Sequence, residues 1–156
     1  MSNASHTLAH NIMSDWTVQE KEALLGRKRS NKHENATEIA SQPFAGNLSY
    51  FNWQSKLKSM QRIKNQGSCG SCWAFSTIGS VEAAWEIATG EELDLSEQQV
   101  VDCATGNCSG CDGGLYECGL TYLQDAGFEA EESYKYTQTT NACTYNKSKV
   151  VNHCIK

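Results

Sequence analysis

Gln66 and Cys72 are the two residues best placed by type and spacing to do chemistry. They lie in the run Asn65-Gln66-Gly67-Ser68-Cys69-Gly70-Ser71-Cys72-Trp73-Ala74-Phe75. A polar, glycine-containing loop ends at Cys72 and a long apolar-periodic segment begins there, which predicts a thiol in the first turn of a helix. Unpaired backbone N–H groups and the positive end of the helix dipole favour the sulfur as thiolate at such a position. Just upstream, the Gln66 side-chain amide can donate a hydrogen bond to an oxyanion forming near the same sulfur. A nucleophilic thiolate with N–H donors beside it is equipment for acyl transfer.

Paired cysteines also allow other chemistry. Cys69-x-x-Cys72 and Cys108-x-x-Cys111 could be the two knuckles of a zinc site, but their separation is about twice that of a zinc ribbon and all four thiols would have to stay reduced. Cys-Gly-Ser-Cys could be a redox pair of thioredoxin type. That motif ends a strand in a βαβ unit, and no such unit is legible here.

The elements that must position Cys72 are mostly helical. From Cys72 the apolar residues Trp73, Phe75, Ile78, Val81, Ala84, Trp85 and Ala88 recur every three or four positions, and Gly90 ends the run, predicting a central core helix. Ser96-Glu97-Gln98-Gln99 reads as a capping box opening a short helix through Val101 toward Cys103. A loop dense in Cys and Gly follows, Cys103 to Gly114, then a helix from about Leu115 to Ala126 stopped by Gly127. Tyr134, Tyr136 and Tyr145 mark extended, aromatic-anchored coil, and Lys149-Val150-Val151 opens a strand. Upstream, Thr17 and Glu20 form a capping box for a short helix over 18–25 with Gly26 as its stop. Residues 27 to 42 are polar and aperiodic, an exposed linker in which Arg27-Lys28-Arg29 is a processing site or a solvated charge run.

Composition bounds the rest. The 156 residues suffice for one domain with a core. Eight cysteines point to an oxidising compartment. A net charge of −5 argues against nucleic acid, and no run is apolar enough to span a membrane. Sequons at Asn3, Asn35, Asn47, Asn107 and Asn146 permit secretion without requiring it.

The Cys-Gly-Ser-Cys-Trp run with Gln66 upstream resembles the signature of papain and the cathepsins. Ala9-His10-Asn11-Ile12-Met13-Ser14-Asp15 is similar to a motif of the family's inhibitory propeptide, with Ala and Met replacing its Gly and Phe. Tyr50-Phe51-Asn52-Trp53 is similar to the start of the mature enzyme. The resemblance implies an α+β papain-like fold, with the helical left domain present and the β-rich right domain missing. Residues 1–46 would be the end of an inhibitory propeptide plus linker, and 47–156 an incomplete left domain. The segment near Pro43 would pass the cleft in reverse orientation, blocking it. Cys72 would be the nucleophile of a cysteine-type endopeptidase, with Gln66 and the Cys72 N–H as oxyanion hole. Gly113 and Gly114 in Cys111-Asp112-Gly113-Gly114 would pair with substrate backbone, Leu115 and Tyr116 would wall a substrate pocket, and Trp73, packed beside the site, would be a further substrate-binding residue.

The family would pair Cys69 with Cys111 and Cys103 with Cys143. That leaves Cys108–Cys118 as a plausible third bridge and Cys154 odd. Peptide or protein substrates and the chain's own propeptide are the implied partners. No cofactor or metal is expected, and the compartment would be lysosomal, vacuolar or secreted. Of the four histidines, His6, His10 and His33 lie in the propeptide-like segment. His153 comes too soon after Cys143 to match the family's catalytic histidine, and the orienting asparagine is missing. The expectation is a truncated zymogen. Its alternative is a non-catalytic homologue acting as inhibitor or binding module.

Overall fold

A computed structural model describes residues 9–11, 13–28 and 51–152. His6, His33, Pro43, His153, Cys154 and the boundary at 46/47 fall outside those residues, as does Ile12 of the propeptide-like motif. The described elements run α1 (Val18–Glu22), α2 (Cys72–Thr89), α3 (Glu97–Cys103), α4 (Tyr116–Ala126), β1 (Phe128–Glu129) and β2 (Val150–Asn152), with short 3₁₀ turns between them.

The core gathers around α2, which packs against α3 and α4. Trp73, Ala74, Ile78, Leu95, Val100, Val101, Leu123 and Phe128 form its buried cluster. Each fully buried aliphatic or aromatic side chain stabilises the fold by roughly 1.5–3 kcal/mol. The buried stripe of α2 differs from the expected one. It consists of Trp73, Ala74, Thr77, Ile78, Glu82 and Glu86, whereas Ala84 and Ala88 face solvent. Apolar periodicity counts only apolar residues, but two carboxylates occupy the inward positions because donors await them there. Glu86 accepts from the Lys58 N–H at 2.9 Å, the Ser59 N–H at 3.0 Å and the Ser59 hydroxyl at 2.7 Å. The Ser59 and Lys58 donors hold its carboxyl below the ordinary glutamate range.

The capping signals form as read at α1 and half-form at α3. Thr17 and Glu20 complete a reciprocal box. Ser96 caps Gln99 N–H at 2.9 Å, but the Gln99 side chain turns inward instead of back to the cap. Its Nε2 donates to the Gly127 carbonyl at 3.0 Å and its Oε1 accepts from the Glu129 N–H at 2.8 Å. The buried Gln99 side chain thus serves two backbone groups just beyond α4. Gly127, at φ 82°, ends α4 as expected. β1 and β2 then pair antiparallel, Phe128 with Asn152 and Glu129 with Val150. The coil between them is held by tyrosine hydroxyls. Tyr134 donates to Asp102 at 2.9 Å and Tyr145 to the Ala126 carbonyl at 2.6 Å.

Three disulfides tie these elements together: Cys69–Cys111, Cys103–Cys143 and Cys108–Cys118. The first two close stretches of 42 and 40 residues, each stabilising by about 2–4 kcal/mol through the unfolded chain. They also consume the sulfurs that a zinc site or a Cys69–Cys72 redox pair would need.

Candidate active site

Cys72 is the first residue of α2 and half-buried, and it is the one free cysteine among the described residues. Its predecessor Ser71 does not cap the helix. The Ser71 hydroxyl instead meets the Tyr136 hydroxyl at 2.6 Å, and Tyr136 also donates to the Gln66 carbonyl at 2.8 Å. The Tyr136 ring stands edge-on to Phe75 with centroids 4.9 Å apart. Burial pushes the Tyr136 phenol above its ordinary pKa, so it stays protonated and keeps donating. One tyrosine thus joins the Gln66 main chain to the start of α2.

Ion pairs hold the same loop from the other side. The Lys64 ammonium lies 2.6 Å from Glu97, 3.0 Å from Glu82 and 3.2 Å from Asp94. Burial alone would lower the Lys64 pKa, but Glu97 and Glu82 together outweigh it and raise it. Arg62 pairs with Glu92 at 3.0 Å. Lys64 and Arg62 therefore bracket Ile63 and fix the approach to Gln66. Sequence reading missed these supports. The only available signal was an inward glutamate in α2, which an apolar pattern disregards.

On the opposite wall stand Gly113, at φ 100°, and Gly114. A Cβ on Gly114 would lie 2.7 Å from the Trp73 indole, and one on Gly113 would run into the Gly26 carbonyl. Trp73 is 2% exposed, and its Nε1 donates to the Gly110 carbonyl at 3.1 Å. At the second position of α2 its side chain points into the core, and the ring lies beneath Gly114. Leu115, half-buried, and Tyr116, 46% exposed, follow directly and lead into α4.

The groove between these walls is filled by the chain's own residues 24–28. Gln66 Nε2 donates to the Leu24 carbonyl at 3.0 Å and to the Cys69 carbonyl at 2.8 Å. The Gly26 carbonyl accepts from the Gly114 N–H at 2.8 Å, and the Gly114 carbonyl accepts from the Lys28 N–H at 3.1 Å. Arg27 and Gly114 form a parallel bridge. The Lys28 ammonium reaches the Ser109 hydroxyl at 2.7 Å. A Cβ on Gly26 would overlap the Gly70 carbonyl, so only glycine fits there. Sequence reading took Gly26 as a helix stop and placed the blocking segment near Pro43. Glycine's second use, close approach to another backbone, leaves no mark in a single sequence. His10, exposed in the N-terminal stretch, is the only histidine among the described residues.

The arrangement can bind an extended peptide by its backbone and present a carbonyl to an amide donor beside a free thiol. Known proteins are similar to this chain. The papain family cysteine protease model matches residues 48–156. Cysteine proteinase 15A of Pisum sativum is 40% identical over 162 residues, covering 96% of this chain and 44% of the pea protein. Pro-cathepsin H of Mus musculus is 45% identical over 105 residues, covering 66% of this chain and 32% of the mouse protein. The solved structure of digestive procathepsin L2 proteinase from Tenebrio molitor larval midgut superposes with a TM-score of 0.83 at 32% identity, over 96% of this chain and 50% of that one. The chain thus spans about half the length of these relatives or less. Its helix-rich body, with one two-stranded sheet among the described residues, has the fold of the helical left domain in such enzymes. The chain belongs to the papain family of cysteine proteases.

Proposed function

We propose that this chain carries the nucleophile half of a cysteine-type endopeptidase, held as a zymogen by its own residues 24–28. The observation that supports this most directly is the double occupation of the groove: Leu24 carbonyl on the Gln66 amide and Gly26 carbonyl on the Gly114 N–H, beside the free Cys72. With residues 24–28 displaced, an extended peptide takes the Gly114 backbone bonds and places a carbonyl at the Gln66 amide. The Cys72 sulfur attacks that carbonyl carbon, and an S–C bond forms as the C=O pair moves to oxygen. Gln66 Nε2 and the Cys72 N–H stabilise the oxyanion. The C–N bond then breaks, and the amine leaves with a proton supplied by a histidine, which the family resemblance locates outside the described residues. Water hydrolyses the thioester in the second half. Leu115 and Tyr116 wall a pocket for an apolar or aromatic side chain of the substrate, and Trp73 supports Gly114 from beneath. No cofactor or metal takes part. The disulfides support a lysosomal, vacuolar or secreted location.

The test is peptidase activity of the full-length protein after release of its N-terminal segment, measured with and without Cys72→Ala. The reading expects the substitution to reduce kcat/KM by roughly 10⁴-fold or more. Activity that survives it would overturn the assignment of Cys72. A full-length protein with no peptidase activity, whose residues 1–46 nevertheless inhibit related proteases, would establish the inhibitor or binding-module alternative.

A further inference from the structure

Two of the five sequons lie wholly among the described residues, and their surroundings differ. We infer that Asn146 is an N-glycosylation site and that Asn107 is not, an inference that rests on the oxidising, secretory compartment proposed above. Asn146, Lys147 and Ser148 are all exposed, so an acceptor tripeptide of three consecutive residues is open on the surface. The Asn146 Oδ1 accepts from the Ser148 hydroxyl at 2.8 Å and from the Ser148 N–H at 2.9 Å. The main chain is anchored just before it, by the Asn146 N–H on Glu129 at 2.8 Å and by the Tyr145 hydroxyl on Ala126. Among the described residues the Asn146 side chain bonds through its oxygen, which leaves the Nδ2 side of the amide for a sugar.

At Asn107 the middle residue, Cys108, is buried and bonded to Cys118, and the hydroxyl of Ser109 accepts from Lys28. Asn107 and Ser109 are exposed, but Cys108 is fixed by its disulfide and the Ser109 hydroxyl by Lys28 of the segment in the groove. A glycan there would crowd residues 24–28. One at Asn146 sits near Ala126, the far end of α4 from Gly114. The 11 residues of α4 put about 16 Å of helix between the two ends. Asn146 can therefore carry a bulky, hydrated group without obstructing the groove.

The transfer is balanced with a polyprenyl-diphosphate-linked oligosaccharide as donor. The Asn146 Nδ2–C1 bond forms, the C1–O bond to the diphosphate breaks, and the lipid diphosphate leaves. One Nδ2 proton goes to a base of the transferase. A hydroxyl donating to Oδ1 draws electron density toward the carbonyl and makes the Nδ2–H easier to remove, which is the use we assign to Ser148.

The experiment expresses the full-length protein through the secretory pathway of a eukaryotic cell and treats it with an amidase that removes N-glycans in heavy-oxygen water. The peptide containing Asn146 should be converted to labelled Asp, and that containing Asn107 should not. Asn146→Gln and Ser148→Ala should each lose one glycan-sized gel shift, Ser148→Thr and Asn107→Gln should keep it, and peptidase activity should be unchanged in Asn146→Gln. Label at Asn107 with none at Asn146 would overturn the inference. So would the absence of label at Asn146 in protein whose thiol count, read by alkylation and mass, shows the three disulfides formed. Fully reduced thiols in protein from its natural cells would instead overturn the compartment on which the inference rests, and with it the inference.

Discussion

Glu97 and Glu131 are kept out of water near the site, and both titrate abnormally for that reason. Burial raises the pKa of Glu97 even though Lys64 pulls it down, and burial likewise raises that of Glu131, which the Tyr136 N–H only partly offsets. A carboxyl whose folded pKa exceeds its unfolded one binds more protons in the native state between the two values, so in that window stability falls as pH rises. The protein should therefore gain stability as the pH drops from neutral toward the ordinary glutamate pKa. Below that value it should lose stability, as Glu86, whose carboxyl is lowered, becomes protonated. Urea midpoints measured at steps across mildly acidic pH should trace this rise and fall, and Glu131→Gln should flatten the rise. A wild-type midpoint that climbs steadily from mildly acidic to neutral pH would contradict the assignment.

At the scale of elements, the site is a meeting of three backbones: the Gln66–Gly70 loop, the Cys111–Gly114 loop and residues 24–28. Gly70 donates to the Cys111 carbonyl at 3.1 Å, and Gly26 packs on Gly70 with no room for a side chain. The obstruction at Gly26 is backbone, which cannot swing aside as a flexible side chain can. Gly26→Ala should therefore lift the segment from the groove while leaving α2 and its disulfide-tied neighbours folded. Alkylation of Cys72 by iodoacetamide, followed by mass spectrometry, should accelerate at least about tenfold, equivalent to about 1.4 kcal/mol of lost segment binding. An unchanged rate would mean that residues 24–28 do not shield the thiol.

At the scale of the molecule, three disulfides hold a small helical body that leaves apolar surface uncovered. Ile63 is 97% exposed and, with Phe75 and Tyr136, lines an open groove of about 450 Å³. Leu25 is 76% and Met60 44% exposed. Apolar exposure of this kind favours association. Produced by itself, the chain of 156 residues should sediment with a weight-average mass that rises with concentration. A sharp, concentration-independent monomer boundary would show that these side chains find cover within the chain.

Local signals carried much of this protein. The start of α2 at Cys72, the stops at Gly90 and Gly127 and the Thr17–Glu20 box follow from residue type and spacing, because caps and stops are settled within a few residues of chain. Family resemblance added the cysteine pairs that the structure joins. What tertiary structure alone decided is everything that depends on which distant groups meet. Glu82 and Glu86 turn inward because Lys64 and the Lys58–Ser59 backbone supply donors. The Gln99 side chain turns to Gly127 and Glu129 instead of back to the cap, and Trp73 packs beneath Gly114. Gly26, a helix stop by its sequence, becomes the one residue small enough to let residues 24–28 lie on Gly70. A single sequence records the residues that can make such contacts. It does not record which partners the fold brings to them.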